Sequence, residues 1–285
     1  MGKRAVLVFG LCVLVILHNA AKNKLDDFCH NVFSQFGEDG IIEKIFEAIG
    51  TKSKLCLEVG AADGLSCSNT ANLWINHGWR AVLIEHDKQL FSFLLKNIAK
   101  YNGNCIAVNQ TIGIEQQYSI DDILRSFGIE ARLDLVSIDI DGNDYYIVLH
   151  MNMHPRVLIC EFNPTIPFHI DVYQNYGQEK LGASVAALVR ILKPKSYTLV
   201  ALTRCNCIFV DDAEMGKLND FELLFHEIAS KDIAAHVCET YDGKVFLLSR
   251  DSQILPWGTK KSYRGKVNTD GIMRRISPFI MEKFS

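Results

Sequence analysis

The residues with the clearest capacity for chemistry are carboxylates and glycines at the ends of short apolar runs. Asp139-Ile140-Asp141-Gly142-Asn143-Asp144 places three carboxylates within six residues at the end of one such run. Burying them is costly unless a cation, a proton or hydrogen-bond donors balance the charge. Strand alternation predicts that Asp139 and Asp141 point to the same side. There a base could take the proton of an acceptor hydroxyl, or Asp139, Asp141 and Asp144 could hold Mg²⁺ through oxygen ligands. The plainer reading is a turn, Asp141 to Asp144, that caps a following helix. Glu161 and Asn163 end a further apolar run in Cys160-Glu161-Phe162-Asn163-Pro164 and are expected to meet the acceptor. Glu161 therefore joins Asp139 and Asp141 as a catalytic candidate.

A second group points to a nucleoside. In Glu58-Val59-Gly60-Ala61-Ala62-Asp63-Gly64 the two glycines lack the Cβ that would block a tight turn and close backbone approach to a ligand. The pattern is Glu-X-Gly-X-X-X-Gly and not the dinucleotide Gly-X-Gly-X-X-Gly. Twenty-one residues after Gly64, Glu85 ends the next apolar run, where an acid accepts both hydroxyls of a ribose. The turn alone is ambiguous; turn, spacing and acid together favour a nucleoside. Asn109 ends the third run, where an ordinary strand-terminating turn is one reading, and Asn109-Gln110-Thr111 is also a glycosylation sequon. His86 and His169 are the histidines nearest these motifs, and a loop histidine is more often solvated than catalytic.

Strands and helices must bring these groups together. Apolar runs predict strands over residues 55–59, 81–85, 105–109, 133–140, 156–162, 197–202 and 207–210. Amphipathic stretches predict helices over 40–49, 69–77, 88–100, 120–127 and 184–192. Near-continuous apolar strands alternating with helices imply a parallel, doubly wound sheet. The last two of the seven are too close for a crossover helix and should form an antiparallel hairpin at one edge. A helix over 220–230 and a strand over 244–248 are expected to complete the core.

With 285 residues, 48% of them hydrophobic, the chain can bury one large core with appendages. Thirty basic against 33 acidic residues give a net charge of −3, without the electrostatic footprint of a nucleic-acid binder; small polar partners fit better. Residues 1–21 carry a basic start and an unbroken apolar run over 5–17, which reads as a signal peptide or an uncleaved signal anchor and predicts entry into the secretory pathway. Residues 22–250 form the expected domain, and 251–285 a tail with seven Lys/Arg against three acids. Nine cysteines permit disulfides in that compartment, although Cys56 and Cys160 sit in strand-like runs as small hydrophobes, and no Cys/His spacing suits zinc.

Six blocks in order resemble the FkbM-type methyltransferase family, in particular a branch with an aspartate-rich fourth strand. They are Ser34-Gln35-Phe36-Gly37-Glu38-Asp39, Leu57 to Gly64, Gly78 to Glu85, Ser137 to Tyr146, Cys160 to Asn163, and Gly182-Ala183-Ser184. The resemblance implies a Rossmann-like class I methyltransferase fold, an α/β architecture with a seven-stranded, mostly parallel sheet, one antiparallel edge strand and helices on both faces. It implies transfer of a methyl group from S-adenosylmethionine to an oxygen, with a glycan or small polar molecule as acceptor. By position, Glu58, Gly60, Asp63, Gly64 and Glu85 would hold the cofactor, with Asn109 and Asp139 beside it, and Gln35 and Glu38 would close over it. Two departures stand out. Asp-Ile-Asp-Gly-Asn-Asp replaces the commoner Asp-Val-Glu-Gly-X-Glu, and Leu192 to Tyr197 lacks the glycine expected before that strand. Other classes fit part of the pattern: a lumenal glycosyltransferase using Asp139 and Asp141 as a metal-binding Asp-X-Asp, or a secreted binding protein that keeps the fold without catalysis.

Overall fold

The computed structural model describes residues 24–221, except 167, 169 and 178–180, together with two later strands, Ala235–Glu239 and Val245–Ser249. Seven strands form the main sheet: β1 Leu55–Val59, β2 Arg80–Ile84, β3 Cys105–Val108, β4 Leu135–Ile138, β5 Val157–Glu161, β6 Tyr197–Leu202 and β7 Asn206–Asp211. Their order is β3-β2-β1-β4-β5-β7-β6. Strands β1 to β5 pair in parallel, whereas β7 runs antiparallel to both β5 and β6. This is the class I methyltransferase fold. The hairpin lies at the edge as expected; within it the reversed strand is the inner one and β6 is outermost.

Among the described residues six helices cover the sheet: α1 Glu38–Ile49, α2 Ala71–Asn76, α3 Lys88–Tyr101, α4 Ile120–Ser126, α5 Asp144–His150 and α6 Val185–Leu192. Alternation along β1 explains why both faces need cover. Leu55, Leu57 and Val59 pack with residues of α4, α5 and α6, such as Ile123, Val148 and Leu188. Cys56 packs on the other face with Ile45 of α1, Trp74 of α2 and Leu94 of α3. Every residue of β1 and β4 is buried, as parallel strands between two helix layers require. Cys56, Cys160 and Cys207 are fully buried free thiols among these apolar side chains.

The sequence reading needs correction in two places. It assigned no helix to residues 144–150, although the turn-and-cap reading of the aspartate cluster anticipated one. The strand expected to complete the core, observed as Val245–Ser249, pairs instead with Ala235–Glu239 in a separate two-stranded sheet. Neighbours in sequence joined by a short link pay little loop-closure entropy when they pair locally. The helix expected over 220–230 lies, from residue 222 onward, outside the described residues, as do the leader and residues 251–285.

The missing glycine before β6 has a structural answer. Ser196 occupies that place in the left-handed conformation (φ 60°, ψ 46°), which a residue with a Cβ adopts at a cost. Ser196→Gly is expected to raise stability by up to about 1 kcal/mol, a rise of roughly 2–4 °C in Tm by calorimetry.

Candidate active site

The glycine turn is built from the exits of β1 and β2. The N–H groups of Gly60 and Ala61 donate to the Ile84 carbonyl at 2.9 and 3.0 Å, folding the turn over the end of β2. Gly60 has φ +82°, and a Cβ there would lie 1.7 Å from the Asp139 carbonyl oxygen. What glycine first permits at this position is therefore contact with the exit of β4, which locks the turn to the carboxylate cluster. Gly64, with φ +79°, seats against Leu94 of α3, and Asn97 of α3 donates to the Asp63 carbonyl at 2.9 Å. Burial works against the Asp63 carboxylate, but hydrogen bonds from Ser66 and Leu65 outweigh it and hold its pKa below the usual range.

Glu85, just beyond β2 and buried, accepts from the N–H of Ala62 at 2.9 Å and of Asp87 at 2.7 Å, with His86 Nδ1 at 3.2 Å. A carboxylate has about four acceptor positions, so two backbone donors leave room for a vicinal diol; these free acceptor positions fit a ribose. Asn109 is exposed, and its amide nitrogen donates to the carbonyls of Glu85 and His86 at 2.8 and 3.1 Å. That bond fixes the loop carrying Glu85.

Glu58 and Glu38 stand in buried hydrogen-bond networks beside the turn, and Gln35 is exposed. The buried Glu58 carboxylate accepts from Ser68 Oγ, Thr70 Oγ1 and the Asn69 N–H at 2.6, 2.7 and 2.8 Å, so it organises residues 68–70 beside the turn. Burial raises its pKa against these donors. Glu38, wholly buried at the start of α1, accepts from Thr203 Oγ1 at 2.5 Å, Asn206 Nδ2 at 3.0 Å and the Phe36 N–H at 2.7 Å. It ties the segment before α1 to the β6–β7 turn. Gln35 is exposed on the segment that Glu38 anchors.

The carboxylates that come together are Asp139, Asp144 and Glu161, each with an oxygen within 4.8 Å of the others. Asp141 is not among them. β4 ends at Ile138, so alternation no longer applies, and Asp141 with φ +56° is turned out to solvent. Asp144, fully buried, accepts from the N–H groups of Ile140 and Gly142 at 2.7 and 2.8 Å and so shapes the turn. Burial, reinforced by the Asp139 charge, pushes it up to about 7. Burial also lifts Asp139 to about 6 and Glu161 to about 10, the latter helped by the charges of Asp139 and Asp144. The two are hydrogen-bonded, a contact that lowers Asp139 and raises Glu161, so Glu161 holds the proton and Asp139 accepts it. A shared proton thus balances part of the charge. Of the set expected for Mg²⁺, Asp139 and Asp144 lie together with Glu161, and Asp141 is turned away.

Some residues near the site left no signal in the sequence. Asn206 pairs in register with Glu161, and its buried Oδ1 accepts no hydrogen bond from the described residues. Gln174, buried in the loop after β5, donates to Asn143 at 2.8 Å and accepts from the N–H groups of Leu181 and Gly182, both at 2.9 Å. Tyr146 donates to its carbonyl at 3.0 Å. Gln174 thereby holds that loop over the start of α5. Asn163, expected at the acceptor, donates to the Leu181 carbonyl at 2.8 Å and serves the same loop. His86 is largely exposed and His169 lies outside the described residues. A cavity of about 750 Å³ sits at the other end of β1, lined by His30, Glu43, Lys54, His77 and Trp79 among others, away from these groups.

No family model and no curated protein sequence matches the chain. Solved structures similar to it include a SAM-dependent methyltransferase from Aquifex aeolicus at 10% identity and TM-score 0.35, covering 59% of this chain and 87% of that one. Precorrin-6y C5,15-methyltransferase from Geobacter metallireducens is similar at 15% identity and TM-score 0.37, covering 65% and 92%. The N-terminal domain of human METTL16 is similar at 15% identity and TM-score 0.40, covering 61% and 69%. Likeness at this level carries no argument about acceptors; the strand order defines the fold.

Proposed function

We propose that the protein is an S-adenosylmethionine-dependent O-methyltransferase of the FkbM type, acting on a glycan or small polar hydroxyl in the secretory pathway. The observation that carries this reading is the junction of the Gly60 turn with the Asp139 exit, which sets a diol-binding carboxylate, Glu85, and a proton-accepting carboxylate on one edge of the sheet. When bound, S-adenosylmethionine supplies a sulfonium-activated methyl group. The chain's own task is to position the acceptor oxygen and take its proton. Glu85 and the Gly60–Gly64 turn hold the nucleoside. Asp139 accepts the hydroxyl proton, Glu161 orients Asp139, and Asn206 Oδ1 offers an acceptor to a second substrate hydroxyl. No step requires Mg²⁺. The glycosyltransferase reading needs Asp139 and Asp141 as a pair, and the outward turn of Asp141 weighs against it.

Calorimetry tests the cofactor assignment. S-adenosylhomocysteine is expected to bind, and Glu85→Ala to weaken it at least tenfold, since a buried carboxylate hydrogen bond to a diol contributes about 1.5–3 kcal/mol. Binding of UDP-sugar with Mn²⁺ in place of S-adenosylhomocysteine would overturn the proposal, and binding of neither would favour the non-catalytic scaffold.

A further inference from the structure

Strand register sets a row of residues across the sheet edge that carries Asp139. Val59 pairs with Ile138 and Ile138 with Cys160. The Asp139 N–H continues the ladder by donating to the Val59 carbonyl at 3.0 Å, so Gly60, Asp139 and Glu161 follow side by side one step further on. Glu161 in turn pairs with Asn206 across the antiparallel contact of β5 with β7. The next pair outward is hydrogen-bonded, the Phe162 N–H donating to the Cys205 carbonyl at 2.7 Å. Glu161 and Asn206 therefore form a non-hydrogen-bonded pair, whose side chains share a face and approach closely. The row runs from the glycine turn, through the proton-accepting carboxylate and its partner, to an amide.

That amide has a fixed orientation. One end meets Glu38 Oε1 at 3.0 Å and lies 3.5 Å from the Cys205 sulfur. A carboxylate only accepts, so this end is the nitrogen and Oδ1 faces away from Glu38. Asn206 is 4% exposed, and its Oδ1 accepts no hydrogen bond from the described residues, a costly arrangement for a buried acceptor. The Glu161 proton, the nearest donor along the row, is given to Asp139. Resting on the methyl-transfer reading above, we propose that Asn206 selects the acceptor: the hydroxyl over Asp139 is methylated only when a second hydroxyl of the same molecule donates to Asn206 Oδ1. An acceptor that lacks this hydroxyl, or carries it as an ether, leaves Oδ1 unpaired and is refused. The substrate class is thus a polyhydroxylated molecule such as a sugar ring, not a monohydric alcohol. Any methylation of the second hydroxyl must follow this step and cannot precede it.

The test uses the full-length protein with S-adenosylmethionine and methyl glycosides of the common hexoses, each beside its monodeoxy and mono-O-methyl analogues. For a glycoside that is methylated, the two analogues altered at one particular hydroxyl, other than the one methylated, are expected to lose at least tenfold in kcat/KM. Asn206→Leu should lower kcat/KM for the full sugar by a similar factor and bring it level with those analogues, while S-adenosylhomocysteine binds as in the parent. Should that variant fail to fold, Asn206→Ala makes the same comparison. Thr203→Val also takes a donor from Glu38 but keeps Oδ1, so its selectivity should match the parent's. A parent that accepts every analogue equally, a selectivity that survives loss of the amide, or one that disappears in Thr203→Val would overturn the inference and leave the methyltransferase reading standing. If S-adenosylhomocysteine binds and no glycoside is methylated, the glycan reading falls and this inference with it.

Discussion

Asp139→Asn is expected to lower kcat for methyl transfer by about 10²–10⁴, the usual contribution of a positioned base, while S-adenosylhomocysteine affinity changes little. The pH profile is the sharper measurement. With Asp139 near 6 and Glu161 near 10 as a coupled pair, activity should rise as Asp139 loses its proton through about pH 6 and fall as Glu161 loses its own near 10. Glu161→Gln keeps a donor toward Asp139 but cannot ionise, so it should retain the acid limb and lose the alkaline one. Stability follows the same groups. Both carboxyls have folded pKa values above their unfolded ones, so the stability they contribute is complete below about pH 4 and is lost as pH rises through the folded values. Glu161→Gln should therefore flatten the decline of Tm between pH 5 and 9. An unchanged kcat in Asp139→Asn, or an alkaline limb that survives Glu161→Gln, would remove the pair from catalysis.

The largest effect on stability is expected at Arg156, at the opposite end of the sheet. Its guanidinium is wholly buried, donating from Nε to Glu214 at 2.8 Å and from Nη1 to Asp134 at 2.9 Å, with further bonds to the carbonyls of Gly50 and Ile49 at 2.7 and 3.0 Å. Asp134 in turn accepts from the N–H groups of Lys52, Ser53 and Lys54 at 2.8 to 2.9 Å, pinning the loop that leads into β1. Arg156→Leu leaves two buried carboxylates without their main partner, which costs about 3–5 kcal/mol. In denaturant titrations this appears as a lower midpoint with little change in slope. The hydrogen bond from Arg156 holds Glu214 well below the usual carboxylate range. A depressed folded pKa contributes stability above the unfolded value of about 4.5 that fades as pH falls, so variant and parent should converge in acid. A loss under about 1 kcal/mol at pH 7 would show that Lys52 and Lys217, at 3.1 and 2.7 Å from Glu214, suffice to balance it.

Much was legible in the chain before any coordinates. Near-continuous apolar runs at 55–59 and 197–202 match their strands to the residue, because burial on both faces favours apolar side chains at most positions, Glu58 and Thr198 being the exceptions. Glu85 was legible because a nucleoside turn and its ribose acid are joined by one helix-length crossover, a local spacing. Arg156, Gln174 and Asn206 were not, since a buried polar residue is identified by its partners, and those lie 22 to 107 residues away for Arg156. Asp141 was misplaced for a related reason: alternation holds only while the strand lasts, and β4 stops at Ile138, before Asp141.

By itself, then, the sequence determined the layers and the edge where chemistry gathers, because periodicity and glycine placement act over short stretches. Only the tertiary structure decided which carboxylates meet. Asp139 with Glu161 and not with Asp141 is a matter of register between β4 and β5 and of where β4 stops. Contacts between strands distant in sequence are set by packing the whole sheet, and no local spacing encodes them.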